Sequence, residues 1–318
     1  MAVNAFIFPG QGSQAVGMGR DLAASFAAAR RTFEEVDEVL KQKLSKLMFE
    51  GPAEELTLTE NAQPALMAVS LAVLRVLQVE GGLNLKEKIA LAAGHSLGEY
   101  SALAAVEAFS IADTARLLKL RGQAMQKAVA PGLGAMAALL GVELELAREI
   151  CAEAEAAPTG RETISCANDN GGGQVVISGH KAAVERAIEI AKGKGIKRAM
   201  LLPVSAPFHC ALMAPAADAM AEAFATTPPR APILPIIANV TATKVTEPAE
   251  IRDLLVQQVT ATVRWRESVE EMTRLGVTNF YELGSGKVLS GLVKRIAPDA
   301  TATSVGSPAD IEAVVKVL

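Results

Sequence analysis

Ile89-Ala90-Leu91-Ala92-Ala93-Gly94-His95-Ser96-Leu97-Gly98-Glu99-Tyr100 carries the reading of this chain. A short, unbroken apolar run enters Gly94-His95-Ser96-Leu97-Gly98, and small residues suited to a helix follow as far as Val106. A G-x-S-x-G pattern at such a junction puts its serine on a sharp strand-to-helix turn. The flanking glycines give room for close packing, the serine oxygen points out at the carboxyl edge of the sheet, and the free N–H groups of the helix start lie behind it. Ser96 is therefore a candidate nucleophile. The amide of Leu97 is a candidate oxyanion donor, a contribution of on the order of 3 kcal/mol per donor in comparable sites. The same five-residue pattern also occurs in tight turns of purely structural use, so the reading depends on partners elsewhere in the chain.

Working outward, residues 5–8 form an apolar strand that ends in Pro9-Gly10-Gln11-Gly12-Ser13-Gln14, a glycine-rich turn that exposes backbone. Helical patterning covers residues 18–47 and 63–79, with Pro64 suited to a first turn, and returns over 99–106 and 111–129. Residues 131–204 read as strand 135–140, helix 143–156, strands 163–167 and 174–178, helix 181–192 and strand 197–204. That β-α-β-β-α-β order is the ferredoxin-like unit, whose ends lie close together and so permit insertion in a larger domain. Asn168-Asp169-Asn170-Gly171-Gly172-Gly173 supplies its hairpin turn. The remainder, from residue 205, alternates helices with short strands at 234–239 and 279–283, the pattern of a parallel α/β sheet. The expected architecture is α/β: a catalytic domain from residues 1–130 and 205–318, carrying the insertion 131–204.

At 318 residues the chain has room for roughly two domains. Its composition, 50% hydrophobic and 21% charged with a net charge of −4, offers no basic block, so nucleic acid is not an expected partner. No basic leader with a long apolar run opens the sequence, and none of its apolar stretches runs uninterrupted for roughly 18 residues, so no membrane is expected and the cytoplasm is the expected compartment. Cys151, Cys166 and Cys210 have no C-x-x-C spacing, and His95, His180 and His209 are far apart, so neither a disulfide framework nor a metal site is indicated. Cys210 reads as a small buried hydrophobe.

A serine nucleophile needs a base. His209 lies in Pro203-Val204-Ser205-Ala206-Pro207-Phe208-His209, a loop after a strand, and is the candidate by position and by elimination. His180 opens an exposed-looking helix, where a solvated or capping role is expected, and His95, next to Ser96, points away from it and lines the pocket. Arg121 shares the apolar stripe of its helix with Ile111, Leu118 and Met125, at spacings of three, four and seven residues. A buried guanidinium cannot shed its charge and needs an anion, which the substrate could supply. Position alone leaves a second reading open, an arginine snorkelling near a helix C-terminus.

Seven blocks agree in order with one family. They are Phe8-Pro9-Gly10-Gln11-Gly12-Ser13-Gln14, residues 94–100, Arg121-Gly122 with Met125-Gln126, Gly134-Ala135-Met136-Ala137, Asn168 and Asn170 before Gln174-Val175-Val176-Ile177-Ser178-Gly179, Pro207-Phe208-His209 before Leu212-Met213, and Glu282-Leu283-Gly284 before Gly286-Lys287-Val288-Leu289. Along essentially its whole length the chain resembles the malonyl-CoA:acyl-carrier-protein transacylases. The resemblance implies a hydrolase-like domain with the ferredoxin-like insertion and an active site in the gorge between them. It also implies Ser96 as nucleophile toward malonyl-CoA, His209 as base then acid, the amides of Gln11 and Leu97 as oxyanion hole, and Arg121 as holder of the malonyl carboxylate, with Met125 and His95 beside the substrate. A backbone carbonyl near Gln258 would orient the histidine. The phosphopantetheine thiol of acyl carrier protein would be the second substrate, with no cofactor and no metal, and the stand-alone length suggests a monomer serving fatty-acid synthesis. Ser285 departs from the family, which usually has proline between these two glycines, and a more flexible loop is expected there.

Two other functions are conceivable. An α/β-hydrolase esterase would need an acid between Ser96 and His209, but Asp113 reads as a helix cap and Asp169 as part of a hairpin turn. A catalytically silent docking module for acyl carrier protein would have no need to keep Ser96, His209 and Arg121 together.

Overall fold

The computed structural model describes residues 2–157, 160–204 and 206–318; Met1 and Ser205, the first residues of the two expected catalytic-domain segments, lie outside the described residues. Among the described residues the fold is mixed α/β, with two main sheets. The larger has six strands in the order Lys244–Val245, Ile236–Ile237, Leu91–Gly94, Asn4–Phe8, Asn279–Leu283 and Thr301–Val305. Neighbours are parallel except Lys244–Val245, which runs antiparallel at the edge, so the expected parallel sheet is a mixed one.

The middle strands are apolar over residues 5–8 and 91–94 because both of their faces are covered. Phe6, Phe8 and Ala92 pack into the core built around helix Thr59–Val79, while Ala5, Ile7, Leu91 and Ala93 face Trp265, Val269 and Leu292 on the other side.

Residues 18–47, expected as one helix, form Arg20–Ser25, Ala27–Leu40 and Leu44–Glu50. The breaks fall where Phe26 is extended (φ −127°) and where Lys41 is left-handed (φ 49°). Helix Thr59–Val79 begins before the expected residue 63, because the carbonyl of Leu58 receives the amides of Asn61 and Ala62. Pro64 therefore lies inside the helix and not in its first turn, and the i−4 carbonyl, that of Glu60, loses its usual donor. This helix is long and apolar enough to cross a membrane, yet 83% of its most apolar 18-residue window is buried inside the protein.

Helix Ile111–Ala128 packs on helix Thr59–Val79 backbone to backbone. A Cβ added at Gly122 would lie 2.5 Å from Glu60 Cα and 2.7 Å from the Thr59 carbonyl oxygen. That close approach brings Arg121 against Gln63.

The second sheet runs Val263–Arg264, Ile164–Asp169, Gln174–His180, Gly134–Leu140, Arg198–Leu201. Its last four strands are antiparallel neighbours, and helices Leu144–Ala154 and Lys181–Gly193 complete the β-α-β-β-α-β order. Two features were not foreseen: a small hairpin pairing Ala156–Ala157 with Gly160–Arg161, and strand Val263–Arg264, which joins Ile164–Asp169 in parallel from far along the chain. Strand alternation divides the work of this sheet. Ala137, Leu139, Val175 and Ile177 pack on the two helices, whereas Met136 and Val176 turn to the opposite face and line the cavity described next.

Candidate active site

A cavity of about 500 Å³ opens where the carboxyl ends of strands Asn4–Phe8 and Leu91–Gly94 meet the second sheet. Residues 10–14, His95, Ser96, Met136, Val176 and His209 contribute to its wall. The sequence-predicted Gln11, His95, Ser96 and His209 thus converge, although they come from three separate segments.

Ser96 sits between strand Leu91–Gly94 and helix Leu97–Ala105 with φ 54° and ψ −112°, a conformation that costs a non-glycine residue on the order of 1–3 kcal/mol. Side chains from distant segments hold it there. Its amide donates to Asn239 Oδ1 at 2.8 Å, and its carbonyl accepts from Gln258 Nε2 at 3.0 Å. Asn239 is itself oriented by donating Nδ2 to the Gly94 carbonyl at 2.7 Å.

The Ser96 hydroxyl lies 2.8 Å from His209 Nε2, and His209 Nδ1 lies 2.8 Å from the backbone carbonyl of Gln258. A carbonyl can only accept, so the proton resides on Nδ1 and Nε2 is left as the acceptor for the serine O–H. His209 is 3% exposed and its pKa is pushed down to about 3, first by burial and then by the positive charge of Arg121. The imidazole is therefore neutral at pH 7, the state a general base requires.

Neither aspartate weighed as a triad acid approaches it: Asp113 accepts from the Ser110 hydroxyl, and Asp169 pairs with Arg266 at 2.9 Å.

The amides of Gln11 and Leu97 have no acceptor among the described residues. Gln11 is tied by its side chain, whose Oε1 accepts from Thr59 Oγ1 at 2.8 Å. Gly10 packs on the elbow so closely that a Cβ would come within 2.8 Å of the His95 carbonyl.

Arg121 is 1% exposed and directly behind the serine. Nη1 donates to Gln63 Oε1 at 2.8 Å, while Nη2 donates to Gln258 Oε1 at 2.8 Å and to Ser96 Oγ at 3.2 Å. Its guanidinium lies over the Tyr100 ring, 5.5 Å from the centroid, and Nε has no acceptor. Among the described residues no carboxylate oxygen lies within 4.0 Å of it. Buried and served only by neutral acceptors, two amides and a hydroxyl, it is not the snorkelling arginine of the second reading. Nearby Glu99 is buried as well, and desolvation raises its pKa to about 7, opposed by hydrogen bonds from Gln258 and Asn239 and by the Arg121 charge.

Two expectations need correction. Met125 does not line the cavity; its sulfur lies 3.7 Å from Gln63 Nε2, because the helix turn that carries it faces the buried glutamine. His180 neither caps its helix nor stands free, since Nδ1 accepts the Thr163 amide at 2.9 Å and ties the start of one strand to the end of its neighbour. Gln63, Asn239 and Glu99 were not singled out, though Asn239 is a polar interruption of an apolar run.

Residues 5–306 match the acyl transferase domain family. The malonyl CoA-acyl carrier protein transacylase of Escherichia coli strain K12 is 46% identical over 312 residues, 98% of either chain. This chain belongs to the malonyl CoA-acyl carrier protein transacylase family. A solved acyl-carrier-protein-S-malonyltransferase from Bartonella henselae matches with a TM-score of 0.95 and 57% identity, covering 99% of both chains. A malonyl-transacylase solved in complex with a type II PKS acyl-carrier protein matches at 0.94 and 42% identity over 100% of both.

Ser285 stands where the family pattern usually has proline. Its hydroxyl donates to the Ser13 carbonyl at 2.7 Å and so ties the late glycine loop to residues 10–14. Cys210 is buried as expected, with its thiol directed at the Pro207 carbonyl 3.2 Å away.

The elbow of this transacylase tolerates no side chain at its second glycine. A Cβ on Gly98 would lie 2.2 Å from the Phe8 carbonyl oxygen, and backbone cannot give way as a side-chain tip can. Gly98→Ala is expected to cost at least about 2 kcal/mol of stability, read as a lowered urea midpoint at an unchanged slope.

Proposed function

We propose that this protein transfers a malonyl group from malonyl-CoA to the phosphopantetheine thiol of acyl carrier protein by way of an ester on Ser96, supplying fatty-acid synthesis. The observation that carries the reading is Arg121: a guanidinium buried 3.2 Å from the nucleophile, with an uncommitted Nε and no carboxylate of its own, calls for an acyl group that brings one.

In the first half-reaction His209 Nε2 takes the Ser96 proton as Oγ attacks the thioester carbonyl. The oxyanion falls to the amides of Gln11 and Leu97, and collapse breaks the C–S bond, with the CoA sulfur receiving the proton from His209. In the second, the carrier's thiol gives its proton to His209 and attacks the ester carbonyl, and Ser96 recovers its proton as it leaves. His95, held to Asn170 Oδ1 at 2.9 Å, serves as cavity wall, and the Gln258 carbonyl serves as the orienter of His209.

The same reading takes residues 1–130 and 205–318 as a hydrolase-like catalytic domain and 131–204 as a ferredoxin-like insertion, with strand Val263–Arg264 lending the insertion's sheet an extra edge. It takes the protein to act as a cytoplasmic monomer, with neither membrane nor nucleic acid as partner.

The test is acyl transfer by wild type and Arg121→Ala with malonyl-CoA and acetyl-CoA, using acyl carrier protein bearing its phosphopantetheine arm. Loss of a buried charge pair costs on the order of 3–5 kcal/mol, so malonyl transfer should fall at least about a hundredfold while acetyl transfer falls much less. Equal losses with both thioesters would assign Arg121 a structural role and remove the basis for malonyl as substrate.

A further inference from the structure

The guanidinium of Arg121 is faced by two amide oxygens, those of Gln63 and Gln258, each at 2.8 Å. A guanidinium only donates, so each amide serves it only when turned oxygen first, and something behind each amide has to keep it turned. Behind Gln63 stands the Thr59 hydroxyl, which accepts from Nε2 at 2.8 Å.

Behind Gln258 stand three acceptors: Glu99 Oε2 at 2.7 Å, the Ser96 carbonyl at 3.0 Å and Asn239 Oδ1 at 3.3 Å. Glu99 is the shortest of these contacts and comes from a carboxyl group 2% exposed. The same oxygen accepts the Asn239 amide at 3.2 Å. Glu99 does not line the cavity, and no cation lies within 4.0 Å of it among the described residues. Burying a carboxyl group without an ion pair is expensive, and an apolar residue would fill the same space more cheaply.

We propose that Glu99 is a positioning residue for acyl selectivity: its acceptor oxygen turns the Gln258 amide so that Oε1 faces Arg121, and this places the guanidinium for the free carboxylate of the incoming acyl group. The proposal rests on the reading of Arg121 as the carboxylate holder. With the Glu99 oxygen gone, only the two longer contacts restrain Gln258, and its NH₂ can turn toward Arg121, donor against donor.

The experiment measures kcat and KM with malonyl-CoA and acetyl-CoA for wild type, Glu99→Leu, Glu99→Gln, Arg121→Ala and the double variant Glu99→Leu/Arg121→Ala. Glu99→Leu should lower the malonyl-to-acetyl ratio of kcat/KM by roughly tenfold, the scale of one hydrogen bond to a charged group. Glu99→Gln, whose amide oxygen can still accept from Gln258 and Asn239, should keep most of that ratio. In the Arg121→Ala background the leucine substitution should leave the ratio where Arg121→Ala alone puts it. Should Glu99→Leu not fold, Glu99→Ala takes its place. An equal loss with both thioesters in the leucine variant, or a further loss of selectivity in the double variant, would overturn the proposal. An unchanged ratio in Arg121→Ala alone would instead overturn the carboxylate reading beneath it, and the single variants tell the two failures apart.

Discussion

Ser96→Ala, mixed with malonyl-CoA, is expected to show no malonyl adduct in its intact mass, where the wild-type protein gains one that persists until acyl carrier protein with its phosphopantetheine arm removes it. Transfer should fall on the order of 10⁴-fold or more, since a nucleophile and its base act as a unit and loss of the nucleophile leaves only binding and the oxyanion donors. Alanine should otherwise fit. The strained backbone at this position is held through its amide by Asn239 and through its carbonyl by Gln258, and neither bond involves the hydroxyl. Retention of the adduct by Ser96→Ala would move the nucleophile elsewhere. An adduct on wild type that drained into water without the carrier would make the protein a hydrolase, and no adduct on wild type would favour a docking module.

His209→Ala should slow formation of the adduct by roughly 10² to 10⁴, the usual contribution of a positioned general base. The serine oxygen and both oxyanion amides remain, so the adduct should still form, only slowly. The pKa of about 3 allows a sharper check of the geometry. Burial and the Arg121 charge both disfavour the imidazolium, so the shift is downward, and the His209 ring should stay neutral from pH 8 to pH 5 in a nitrogen-15 NMR titration. Arg121→Ala removes the second-largest of the causes, and the His209 pKa should rise toward its ordinary value of 6.5. The same logic links substrate choice to base strength. A malonyl carboxylate resting on Arg121 offsets the charge that depresses His209, so the base strengthens when an acyl group with a free carboxylate is in place. A His209 that titrated near 6.5 in the wild-type protein would contradict the effects of burial and of the Arg121 charge together.

Much of this protein was legible in its residues because the physics involved is local. The elbow at Ser96 is a strand end, two glycines and a helix start in a row, and every part of it appears within residues 89–106. Alternation and turn residues sufficed for the β-α-β-β-α-β order of residues 134–201, since strand and helix periods are properties of a few consecutive residues. The same holds for the stripe that buries Arg121.

Tertiary structure decided whatever depends on one segment meeting another. The partners of Arg121 come from residues 63, 96 and 258, and nothing near residue 121 specifies them. Strand Val263–Arg264 is too short to carry a period of its own and exists because the edge of Ile164–Asp169 accepts it. Met125 went to Gln63 and away from the cavity, where two helices touch backbone to backbone at Gly122. Ser285 is tied to Ser13 because its hydroxyl lies within 2.7 Å of a carbonyl 272 residues earlier. A sequence pattern records which face of its own element a side chain occupies. The acceptor or donor waiting across the gap is set by packing, and in this protein packing gives a buried guanidinium two glutamine oxygens and the nucleophile's hydroxyl.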